Sequence, residues 1–90
     1  MATEIFRTNW RGWASSSEGY AVRIVGRNDL QYRDESGIHH IFIEPMTKWT
    51  EIVVDTEAIP RSPLLPEGEL LNRLRRVFAF RGWTLIESGG

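Results

Sequence analysis

His39 and His40 are adjacent and are the only histidines in the chain. Metal binding or proton transfer would draw on them first. Neighbouring residues on a strand point to opposite faces, so one metal cannot take both in regular geometry. With no cysteine and no carboxylate at ligand spacing, no metal site is expected. Asp34 and Glu35 fall in a predicted turn. Glu44, Glu51, Asp55 and Glu57 are scattered over strand ends and a loop, so no pair is set up for acid–base work. Ser15, Ser16 and Ser17 lack a nucleophile signature. The glycines form neither a dinucleotide nor a phosphate-loop pattern. No catalytic residue and no cofactor site is expected, and the chain reads as non-enzymatic.

What remains is recognition chemistry. The basic residues are ten arginines and a single lysine, Lys48. Arginine makes bidentate contacts that lysine cannot. Arg73, Arg75, Arg76 and Arg81 crowd one C-terminal segment, and four tryptophans are many for 90 residues. Exposed tryptophan beside arginine is typical of protein interfaces. The candidate partner-binding set is Arg73, Arg76, Phe80, Trp10 and Trp13, acting on a protein partner. The alternative is a nucleic-acid-associated regulator using the arginine face of the helix on phosphate. A net charge of −1 gives no overall field in its favour.

These residues need elements to hold them. The segment PEGELLNRLRRVFAFRGWTLIE, residues 66–87, predicts an amphipathic helix, a stop at Gly82 and a strand. At the helical period Leu70, Leu71, Leu74, Val77 and Phe78 share an arc of about 120°. Pro66 suits a first helical position and Gly82 the C′ position. Phe80 falls on the polar arc. Either the last turn bends and covers its ring, or the ring stands exposed between guanidinium groups.

Upstream the pattern alternates. Tyr20 to Val25, Leu30 to Arg33, Ile38 to Glu44 and Trp49 to Asp55 read as strands. Ser15 to Gly19, Gly26 to Asp29 and Asp34 to Gly37 read as turns. Pro45 to Lys48 reads as a loop. Ile5 to Ala14 reads as one bent strand or two short pieces, with Gly12 marking a bulge. Pro60, Pro63 and Pro66 make the stretch 55–66 an irregular crossover. The expected fold is α+β: an antiparallel meander of four to six strands, one C-terminal helix on a face, then a short strand, all in one domain over residues 1–90.

Residues 38–43 are apolar on both faces, while a single helix covers one. A curled sheet, the Trp10/Trp13 segment or a second subunit must shield the other face, and a homodimer is the preferred expectation. No apolar run approaches the ~18 residues of a membrane span. The first ten residues do not resemble a signal peptide, so the cytoplasm is the expected compartment.

One order of segments has a familial look: GYAVRIVGR, then YRDESGIHHIFIE, then MTKW, then LLNRLRRVFAFRGWTLIE. With Gly26, Trp49 and Arg81-Gly82, this order over residues 20–87 resembles bacterial polymorphic-toxin immunity proteins of the immunity protein 74 type. The resemblance implies a non-enzymatic protein that binds and blocks a toxin. It assigns no site residues.

Overall fold

The computed structural model describes residues 3–89. Seven strands form one sheet in sequence order: β1 Phe6–Thr8, β2 Ala14–Ser16, β3 Ala21–Val25, β4 Asp29–Asp34, β5 Gly37–Pro45, β6 Glu51–Asp55 and β7 Thr84–Ser88. All neighbours pair antiparallel except β6 and β7, which are parallel. The α+β architecture is as expected, with more strands than expected.

The extra strand comes from the N-terminal segment. Asn9 accepts from the amides of Arg11 and Trp13 at 2.9 and 3.0 Å, which folds 9–12 into a hairpin turn. Two short strands result, and Gly12 sits in that turn and not at a bulge. Ser15 and Ser16, expected in a turn, instead pair with Arg7 and Phe6 in β2.

Pro45, expected in a loop, is the last residue of β5 and lies opposite Ile52. The reason is the phase of the ladder. The amide of Met46 reaches Glu51 on β6, whereas that of Ile43 reaches Asn28 on the other side. Alternation therefore turns the proline nitrogen away from β6, where β4 has already ended, and no ladder bond is lost.

Helix α1 spans Glu69–Arg81, starting later than Pro66. Gly68 adopts φ 87° ahead of it and offers no side-chain cap, so the preceding turn stays outside the helix. Gly82 at φ 74° closes the other end with its amide on Ala79 and Phe78, as expected. The crossover is irregular apart from a three-residue 3-10 turn at Thr56–Ala58, whose start Asp55 caps through the amide of Glu57.

Leu70, Leu74, Val77 and Phe78 are buried against Val22, Leu30, Ile41, Ile43, Ile52 and Val54. Burying a leucine-sized side chain contributes about 2 kcal/mol, so this contact seats the helix. The other sheet face is only partly covered. Trp13 lies on it, 4% exposed, with the Arg23 and Arg33 guanidinium groups 4.4 and 4.3 Å from its ring centre. Ile38 and Phe42 on the same face stand half in solvent. No helix among the described residues is long and apolar enough to cross a membrane.

Candidate functional site

Polar side chains converge at the end of the sheet where α1 begins. Glu4 accepts from Tyr20 Oη at 2.6 Å and from Ser16 Oγ, and its other oxygen lies 2.8 Å from Arg76 Nε. Arg76 also reaches Glu69 at 3.6 Å and Glu18 at 3.9 Å. Its Nε nonetheless has no aligned acceptor, so the contact with Glu4 is an ion pair more than a hydrogen bond. Arg73 donates to Tyr32 Oη at 2.9 Å and lies over the Tyr20 ring at 4.4 Å.

Tyr32 in turn donates to Asp34 at 2.8 Å, beside Ser62 Oγ at 2.7 Å and the Ser36 amide at 2.8 Å. Burial alone would raise the pKa of Asp34. The bonds from Ser36, Ser62 and Tyr32 outweigh it and hold the carboxyl at about 2. Burial and the bond to Asp34 push Tyr32 up to about 12. Burial opposes but does not prevent a lowered Glu4, which Ser16, Tyr20 and Arg76 stabilise as the anion. Burial and the bond to Glu4 raise Tyr20.

Ser36, His39 and Asp34 invite comparison with a nucleophile, a base and an orienting acid. Ser36 Oγ lies 2.9 Å from His39 Nε2, but it also bonds the ionised Asp34 directly. A carboxylate only accepts, so the single hydroxyl proton goes to Asp34 and His39 must donate to the serine oxygen. That order is the reverse of base activation. Among the described residues no three His, Asp or Glu side chains come together as metal ligands.

A second feature lies at the opposite end of the sheet. The turns between β3 and β4, β5 and β6, and α1 and β7 surround a groove of about 510 Å3. Trp49, Trp83 and Met46 wall it, Ile24 and Ile43 lie within it, and Arg27 is its one cation. Its volume is in the range of ordinary ligand sites. Phe78 meets Trp83 edge-on at 5.4 Å, and the Arg81 guanidinium lies 5.0 Å from the Trp83 ring centre.

No known protein family, curated protein or solved structure matches this chain.

The candidates read from the sequence are dispersed. Arg73 and Arg76 belong to the polar web at the start of α1. Trp13 is buried on the far sheet face. Phe80 is 43% exposed and stacks on Phe6 at 5.2 Å, so its ring is partly covered. Trp10 stands 87% exposed at the tip of the first hairpin, with Arg11 over its ring. The groove was not among the candidates, because its walls come from three segments that only the strand order unites. The buried role of Asp34 was also missed. Its signal was local: an aspartate two residues before a serine in a tight turn, where the side chain bonds the backbone.

Proposed function

We propose that this chain is a non-catalytic protein-binding module, of the kind that inhibits a bacterial toxin. One observation carries the reading: the converging polar groups bond one another, while large apolar side chains are left in solvent. Trp10, Trp49, Phe42 and Ile38 are all at least half exposed. Aromatic side chains in that state are the usual anchors of protein interfaces. The helix arginines give the nucleic-acid alternative little support. Arg73, Arg75 and Arg76 each have an acidic partner on Glu69, Glu87 or Glu4.

The test is co-expression with the product of the adjacent gene. A stoichiometric complex on gel filtration, with rescue of growth if that product is toxic, is the expected result. Two proteins that elute separately and a toxicity left unrelieved would count against the inhibitor reading. A second copy of the chain is the proposed cover for the Ile38–Phe42 face. A clean single-chain mass in sedimentation at high micromolar concentration would remove the homodimer.

A further inference from the structure

The net charge of −1 conceals a separation of charge between the two ends of the sheet. The antiparallel order places the turns 9–12, 26–28, 46–50 and 82–83 at one end, together with the last helical residue, Arg81. Those turns and Arg81 carry Arg11, Arg27 and Lys48 with Trp10, Trp49 and Trp83, and no acid. None of the four cations enters an ion pair among the described residues. The opposite turns, 17–19, 35–36 and 56–68, hold Glu18, Glu35, Glu57 and Glu67 with Arg61 alone, and Arg61 pairs with Glu67 at 3.2 Å.

Three acids lie near the basic end: Asp29, Glu44 and Glu51. All three point to the outer sheet face. Glu44 lies opposite Val53 there, and Asp29 is bonded to His40. The groove opens on the other side, among the inward residues Ile24, Ile43 and Ile52. Its floor is therefore aliphatic, with Arg27 in its lining and Arg81 against the Trp83 ring as the nearby charge.

We propose that this end binds an acidic protein segment that inserts one apolar side chain between Trp49 and Trp83. This rests on the protein-binding reading and names the partner's chemistry. Arg27 in the groove lining and Arg81 beside Trp83 meet the segment's carboxylates, and the opposed charge steers the encounter. The floor favours a protein over a nucleic acid. Ile24, Ile43 and Ile52 offer no hydrogen-bonding side chain, so the polar edges of a base would be buried there without partners.

The probes are short peptides of Glu, Asp and Ser around a central Leu, the same peptide with central Ala, a version with Lys for the acids, and oligo-dT. Tryptophan fluorescence and calorimetry follow binding. The Leu peptide binds, the Ala peptide binds roughly tenfold more weakly, and the Lys peptide does not bind. Trp49→Ala and Arg27→Glu each abolish the interaction, and both residues are exposed and lie in turns. Equal binding of the Lys peptide, tighter binding of oligo-dT, or silence from every peptide up to millimolar concentration overturns the proposal.

A photo-crosslinking residue at position 46, on the groove wall, or at position 42, used in a lysate of the source cells, separates the two levels. Protein adducts at 42 and none at 46 overturn the groove and leave the protein-binding reading standing. Adducts at neither position count against both.

Discussion

The two ends of the sheet use the same residue types to opposite ends. Where α1 begins, Arg73 and Arg76 are half-buried among Glu4, Glu69, Tyr20 and Tyr32. Where α1 finishes, Arg27 and Arg81 enter no ion pair among the described residues, and Trp49, 73% exposed, shares the groove with Arg27. An arginine that sits among acids holds a fold together. An arginine beside open aromatic surface with no acid in reach is free to hold something else. Counting arginines and tryptophans does not separate these roles; the partner list of each does.

The strongest way to break the web end is to unseat the helix above it. Leu74→Ala removes a fully buried side chain and costs about 3 kcal/mol in chemical denaturation. A loss below about 1 kcal/mol would mean the helix is not seated as described. Next is Asp34→Ala, which strands the donors of Tyr32, Ser36 and Ser62 and costs about 2 kcal/mol. Folded Asp34→Ala should still bind the acidic Leu peptide.

The same carboxyl gives an acid limb. Its folded pKa of about 2 lies below the ordinary 3.8, so its contribution is full above pH 4 and is lost as pH falls towards 2. The amount is at most about 2 kcal/mol, and Asp34→Asn should flatten that limb in urea titrations run at several pH values. A limb of unchanged steepness in that variant would assign acid sensitivity elsewhere. The smallest effect is at the other end. Trp49→Ala should shift stability by no more than about 0.5 kcal/mol. A large loss would make Trp49 a structural residue and erase the contrast.

The helix was legible because its apolar arc repeats at the helical period and Gly82 ends it. The meander was legible because Asp34–Gly37 and the alternation of Tyr20–Val25 are short-range signals. Pro45 was misplaced because the tolerance of a proline depends on which side of the strand its nitrogen faces, and that depends on where β4 ends. The division between Trp13 and Trp49 was illegible for a similar reason. Trp13 is covered by Arg23 and Arg33, which the β3–β4 register places beneath it. Arg73 and Arg76 were chosen as contact residues from their position on the helix wheel. Glu4 and Tyr32, which hold them, are 72 and 41 residues away in sequence.

The contrast is tested most directly by the four indole N–H signals in a proton–nitrogen correlation spectrum, followed while the acidic Leu peptide is added. Trp49 and Trp83 should move together and saturate, while Trp13 stays where it is. Movement of Trp13 to the same extent, or stillness of all four, would contradict the assignment of recognition to the basic end.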